Sequence, residues 1–224
     1  MDAQVFKRFI KNKATIVGSI ILLFFFFIAL FGPLLCHYDP NAIDLKSVYQ
    51  HPSAEHLLGT DNLGRDMLTR IIVGARISLL VSFAGTIIGS LIGVALGVVA
   101  GYYGGLLDSL VSRFVDLLLA FPGLLLAIVV VAILGNGIVN TIAAIAFYSI
   151  PYVARMVRGI VITLKNSEYV QACRVMGASD LRIIITHIIP NSMSQIIVNT
   201  TLNLGTAILT ASSLSFLGLG VTPP

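Results

Sequence analysis

Tryptophan is absent from this chain, and only 11% of its residues are charged, against about 25% in soluble globular domains. A water-exposed fold of 224 residues needs more polar surface than that, so a soluble globule is excluded. Acids, bases and histidines are missing from the depth of every long apolar run. The histidines at 37, 51, 56 and 187 all fall between those runs. This absence argues against a proton relay or a charged ion filter, both of which need ionisable groups inside the bilayer. No G-x-x-x-x-G-K-[ST] loop is present to cradle nucleotide phosphates, and no G-x-S-x-G elbow marks a hydrolase. Cys36 and Cys173 are too few for a disulfide framework. His37, His51 and His56 match no zinc spacing and read as solvated loop residues. The formal net charge of +4 comes without a basic patch interleaved with aromatics, so nucleic acid is not an expected partner.

What the chain has is apolar length: 57% of its residues are hydrophobic. The runs are continuous rather than alternating, which selects an all-α polytopic membrane protein over a transmembrane barrel. Five spans are expected, at about 15–35, 77–101, 116–134, 138–154 and 191–213. The fourth is short and holds Pro151, which predicts a kink or local unwinding. No small-x-small cleavage site follows the first run, so it reads as an uncleaved span. The chain divides into an N-terminal tail and first span (1–35), an extracytoplasmic segment with an interfacial helix at 65–76 (36–76), and a core (77–224). With the N-terminus inside, the inner segments hold Lys7, Arg8, Lys11, Lys13, Arg113, Arg155, Arg158, Lys165, Arg174 and Arg182. The outer ones hold only Lys46, Arg65, Arg70 and Arg76. That asymmetry follows the positive-inside rule. Arg113 and Asp116, three residues apart, are placed to pair. After the fifth span the sequence ends on SFLGLGVTPP, and a final C-terminal span is expected to be missing.

Two stripes carry mechanism. Gly85, Gly89, Gly93, Gly97 and Gly101 recur every fourth residue, so one helix face lets another backbone approach closely. It serves either plain packing or a gate that slides along this face. In the fifth span, Ser192, Gln195, Asn199, Asn203, Thr206, Thr210 and Ser213 recur at steps of three and four. Amides facing lipid are costly, so this stripe belongs against protein or water, as hydrogen-bonded packing or as the lining of a translocation path.

The segment between the fourth and fifth spans is the most informative. Its 33 residues from Arg155 to His187 are amphipathic and exceed a simple connection. Leu164, Val170, Ala172, Cys173 and Met176 supply one apolar face, and Gly177 stops that helix. Ser179 is placed to cap a second helix bearing Leu181, Ile184, Ile185 and Ile188, and Pro190 starts the span. The product is a helix–turn–helix at the membrane face, a docking surface for a soluble partner.

The stretch EYVQACRVMGASDLRIIITHIIPN (168–191) resembles the EAA signature of ABC importer permeases, matching at Ala172, Gly177 and Pro190. His187 fits the peptide-importer branch. Gln171 stands where that family usually has Glu, and Cys173 where it usually has Ala; a glutamine still offers hydrogen bonds. YDPNAIDL (38–45), LGTDNLGRD (58–66), RFVDLLLAFP (113–122), YVARMVRG (152–159) and SFLGLG (215–220) are similar to the dipeptide, oligopeptide and nickel importer permeases. The resemblance implies a type I ABC importer permease fold with six spans, in a bacterial inner membrane. It implies a heterodimer with a second permease, two ABC ATPase subunits and an extracytoplasmic solute-binding protein. This chain then binds no cofactor or metal and is not itself an enzyme: ATP and Mg lie on the partner ATPases. Glu168, Gln171, Ala172, Gly177, Asp180, Arg182, His187 and Pro190 are the implied coupling residues. The cargo is expected to be a peptide, with nickel or a metal chelate as the alternative, and an ATP-independent channel as the alternative of another class.

Overall fold

The computed structural model describes residues 12–221, so the basic residues Lys7, Arg8 and Lys11 lie outside the described part. Every regular element among the described residues is helical, and the only β-type pairing is an isolated bridge between Thr60 and Asp66. The helices are α1 (Lys13–Leu35), α2 (Met67–Tyr103), α3 (Gly105–Leu119), α4 (Gly123–Leu134), α5 (Ile138–Lys165), α6 (Glu168–Val175) and α7 (Asp180–Ile183). A π-helical segment (Ile184–Ile188) and α8 (Ile189–Phe216) follow. Among the described residues, four stretches are long and apolar enough to cross a membrane: 13–34, 67–103, 138–165 and 180–216. The bent pair α3–α4 brings the total to as many as five.

The helices fall into two compact units, one up to Leu79 and one from Leu80 onward. In the first, Asn12 caps α1 by accepting from the Ala14 amide at 3.1 Å. The segment 36–66 is irregular but tightly hydrogen-bonded around LGTDNLGRD. Gly59 and Gly64 take positive φ there (72° and 74°), a conformation that glycine adopts without steric cost. Asp66 caps α2, its carboxylate accepting from the Thr69 amide at 2.8 Å and facing His56 Nδ1 at 3.0 Å. His56 also stacks against Tyr38, with ring centroids 4.8 Å apart. It is therefore a structural residue rather than the solvated one expected, because the α2 cap draws it in. The interfacial helix expected at 65–76 is also not separate: α2 runs unbroken from Met67 through the span to Tyr103, since no proline or turn sequence interrupts it.

In the second unit the glycine stripe of α2 lies on α5. A Cβ at Gly85 would come 2.7 Å from Ile145 Cβ, at Gly89 2.6 Å from Ala146 O, and at Gly93 2.8 Å from Val153 Cβ. At Gly97 it would lie 2.7 Å from Ala154 O, and at Gly101 2.8 Å from Arg158 O. Each four-residue step on α2 meets a four-residue step on α5, so the two helices run side by side in the same direction with backbones in near contact. Along this seam α5 continues through Pro151 without unwinding and extends to Lys165, longer than the expected 138–154. Ile150, Val153 and Ala154 around the proline are buried, and such packing supports a helix across the missing donor.

The expected third span at 116–134 is not one helix. α3 and α4 meet at 92°, because Pro122 lacks an N–H and disfavours helical geometry at Phe121. Pro190 behaves differently. It cannot donate to the Thr186 carbonyl, and the five residues before α8 widen to a π-turn instead of breaking. The Asn191 amide group donates to His187 O at 2.6 Å and Ser192 Oγ to Ile188 O at 2.8 Å, occupying carbonyls in that turn. The second arm of the helix–turn–helix thus passes continuously into α8, with Pro190 in the first turn of that helix as expected.

Candidate functional site

The helix–turn–helix is built from α6, the turn at Met176–Ser179, α7 and the π segment. Glu168 lies in the first turn of α6 and Arg174 in the last, each at the end its charge favours. At the turn, the Gly177 amide donates to Arg174 O at 2.9 Å and the Ala178 amide to Cys173 O at 3.0 Å. With φ +82° at Gly177, this is the Schellman closure of a helix. A Cβ at Gly177 would meet nothing within 4 Å, so the demand for glycine here is conformational rather than steric. Ser179 occupies the N-cap position of α7 but makes no side-chain capping bond.

One side of this unit is fully packed. Val170, Ile183, Ile184 and Ile188 join Val98 and Tyr102 of α2 and Val153, Val157 and Val161 of α5 in a single apolar cluster. The other side is bare: Val175 is 90% exposed, Met176 78%, Leu181 65% and Ile185 58%. The expected apolar faces therefore divide. Ala172 and Met176 are exposed instead of packed with Leu164, Val170 and Cys173, since a step of two residues from Val170 to Ala172 turns about 200° around a helix. Likewise Ile183, not Leu181 or Ile185, enters the core beside Ile184 and Ile188.

Tyr102, at the last turn of α2, is the polar hub beneath. It is only 3% exposed, its hydroxyl donates to Asp180 Oδ1 at 2.7 Å, and the Arg174 guanidinium lies 5.2 Å from its ring centroid. Lys165 Nζ donates to Tyr102 O at 2.9 Å, satisfying one of the last carbonyls of α2.

Of the residues singled out by sequence, Glu168, Gln171, Ala172, Gly177, Asp180, Arg182 and Pro190 are exposed, and His187 is half-buried. The Gln171 side chain donates to Asn166 O at 3.2 Å. His187 Nε2 sits 3.6 Å from Cys173 Sγ, and its ring faces Tyr169 edge-on, so it braces the two arms against each other. Both cysteines are free thiols.

Sequence reasoning missed the cross-helix ion pairs. Arg158 bridges Asp108 with both guanidinium and carboxylate edges, its Nη2 at 2.7 Å from Oδ2, and Arg155 pairs with Asp116. Asp116 therefore does not pair with Arg113. Ser112 and Asp116 of α3 and Arg155 and Arg158 of α5 border a cavity of about 390 Å³ between the two helices, while Arg113 is exposed.

The polar stripe of α8 is not uniformly open. Gln195 and Thr206 are exposed, Asn199 and Asn203 half-buried, Thr210 and Ser192 buried. Asn203 donates to Asn199 Oδ1 at 3.1 Å, and Thr206 and Thr210 return their hydroxyls to helix carbonyls at 2.8 and 2.9 Å. Gln195 and Asn199, with Met156 of α5 and Ser194, Val198 and Leu202 of α8, line a shallow cavity of about 300 Å³. Part of the stripe thus has helix-internal partners, and the part near Gln195 faces open space beside α5.

Among the described residues outside the spans, Asp44, Asp61 and Asp66 are held below the usual carboxylate range. Burial would raise Asp61 and Asp66, but hydrogen bonds outweigh it. Asp61 accepts from the Arg65 and Leu63 amides and the Arg65 guanidinium, and Asp66 from Thr69 and His56. Asp44, at the surface, is lowered chiefly by the Ser47 hydroxyl and the Lys46 amide.

Comparison with known proteins places this arrangement. The family described as "Binding-protein-dependent transport system inner membrane component" matches residues 93–224. "N-terminal TM domain of oligopeptide transport permease C" matches residues 3–52. The chain is 48% identical over 221 residues to a dipeptide transport system permease protein of Alkalihalophilus pseudofirmus, covering 99% of this chain and 73% of that protein. It is 45% identical over 222 residues to a glutathione transport system permease protein of Shigella flexneri, and 43% identical to that of Escherichia coli, with the same coverage in both cases.

Proposed function

The chain belongs to the family of binding-protein-dependent transport system inner membrane components, and from that premise we propose that it forms one half of the translocation path of an ATP-driven importer for short peptides. The observation that carries this reading is the two-sided helix–turn–helix. Its inner face is packed into the membrane helices, while Val175 and Met176 stand bare beside a rigid Gly177 turn. An exposed apolar tip flanked in the chain by Arg174 and, past the turn, by Asp180 and Arg182 suits the cleft of a soluble ATPase, with a buried apolar anchor and a polar rim.

In this mechanism ATP and Mg bind to two partner ATPase subunits on the cytoplasmic side, where the N-terminus of this chain also lies. Their closure on ATP displaces the helix–turn–helix, and the packed face passes that displacement to α2 and α5. A second permease covers the open side of α8, so that Gln195, Asn199, Asn203, Thr206 and Thr210 border the path. A neutral polar lining suits peptides, whose backbone amides exchange hydrogen bonds with side-chain amides without a fixed charge to hold them. An extracytoplasmic binding protein delivers the cargo. The peptide assignment rests on the relatives, two of which are named for dipeptide and glutathione transport.

The test is to tag the chain in its native membrane, extract it gently and identify the co-purifying proteins by mass. Two ATPases, a second permease and a binding protein that carries peptide are expected. Recovery without ATPases, even after cross-linking through a cysteine placed at Met176, sinks the proposal. A Met176→Asp substitution is expected to weaken ATPase capture at least tenfold, because a carboxylate in an apolar cleft is left unpaired.

A further inference from the structure

Nothing in the sequence marks Tyr102 as special: it follows the last glycine of the stripe and precedes another tyrosine. Its partner Asp180 is 78 residues away. The structure nevertheless places it where several elements meet. Its ring is buried in the cluster that joins α2, α5 and the helix–turn–helix. Its hydroxyl reaches out of that cluster to a carboxylate in the first turn of α7. Arg174, at the end of α6, lies over its ring, and Lys165, at the end of α5, holds its carbonyl. One residue therefore touches both arms of the helix–turn–helix and the ends of two long helices.

We propose that Tyr102 is the positioning residue through which the helix–turn–helix grips the end of α2, its hydroxyl held by Asp180. This rests on the importer reading above and adds the side chain by which motion passes into the membrane. Apolar contacts alone transmit a push but hold no direction, because they are satisfied over a range of offsets. The hydrogen bond to Asp180 has a preferred distance and angle, so a rotation of α7 carries Tyr102 with it. Above Tyr102, the five glycines of α2 receive Ile145, Val153, Val157 and Val161 of α5 against the helix backbone. A pull at the end of α2 therefore acts on one continuous helix of 37 residues and is handed to α5 through this close-packed seam. The grip lies next to the seam it would move.

The experiment uses the whole complex, with its partner subunits, reconstituted in liposomes. Peptide uptake and ATP hydrolysis are measured in the same vesicles for the wild type, Tyr102→Phe, Asp180→Ala and the double variant. Phenylalanine keeps the ring in the cluster and removes only the donor. Uptake per ATP hydrolysed is expected to fall about tenfold in each single variant, the factor set by one hydrogen bond to a charged acceptor. It is expected to fall no further in the double variant. Asp180→Asn, which keeps an acceptor oxygen, is expected to recover most of the ratio. A wild-type ratio in Tyr102→Phe overturns the proposal, and so do losses that multiply in the double variant. If Tyr102→Phe does not assemble, the Asp180 pair decides: equal loss in Asp180→Asn and Asp180→Ala overturns it. Failure of the wild-type chain to capture ATPases instead overturns the importer reading itself, a separate result.

Discussion

Replacing Gly97 by alanine tests the seam between α2 and α5 with one methyl group. Built on the existing backbone, that Cβ lies 2.7 Å from Ala154 O, 2.8 Å from Val157 Cβ and 3.0 Å from the Arg158 nitrogen. Optimal carbon contacts are about 3.5–4.0 Å, so the helices must separate by several tenths of an ångström. Two of the three obstructing atoms are backbone, which cannot swing aside as a long side chain does. Overpacking of this kind costs about 1–3 kcal/mol. Against it stands the helix propensity of alanine over glycine, worth about 1 kcal/mol. Gly159→Ala supplies the control: Gly159 is an exposed residue within α5, and an added Cβ there meets nothing within 4 Å. The propensity gain is common to both variants, so the difference between them isolates the clash. Gly97→Ala is expected to be about 1–3 kcal/mol less stable than Gly159→Ala when unfolding is followed by circular dichroism in mixed micelles. Equal stability of the two variants would refute the close-packed seam.

The remaining expectations concern the turn and the α2 cap. Gly177→Val places a β-branched side chain at φ +82°; it is expected to cost about 1–2 kcal/mol locally and to weaken ATPase coupling, and unchanged uptake by the assembled complex contradicts it. Asp66→Ala removes the acceptor for the Thr69 amide and is expected to destabilise the start of α2 by about 1 kcal/mol, read as faster hydrogen exchange over residues 67–70; unchanged exchange there argues against the cap. The same carboxylate gives an acid limit. Because its folded pKa is lowered, Asp66 stabilises the fold fully above the unfolded value of about 3.9. That stability is lost as pH falls below it through the folded pKa. Asp61 acts in the same sense. Protection of residues 36–70 is therefore expected to hold from about pH 8 down to about pH 5 and to decline only below about pH 4; a loss centred near neutrality refutes the assignment to these carboxylates.

The all-helical membrane class, the face formed by the glycines and the stop at Gly177 follow from the sequence because each depends on residues close together in the chain. Hydropathy over about 20 residues decides a span, a four-residue period decides a face, and a positive φ selects glycine at one position. The ends of the helices were less legible. Nothing local says that α2 begins at Met67 without a break, or that Pro122 turns the chain by 92° while Pro151 leaves α5 intact. The difference lies in what packs around each proline. Partners were the least legible of all. Asp116 takes Arg155 rather than Arg113, the packed arm presents Ile183 rather than Leu181, and Tyr102 finds Asp180. Such choices depend on which faces meet once the helices assemble, and helical period orders the residues on a face without saying what that face will touch.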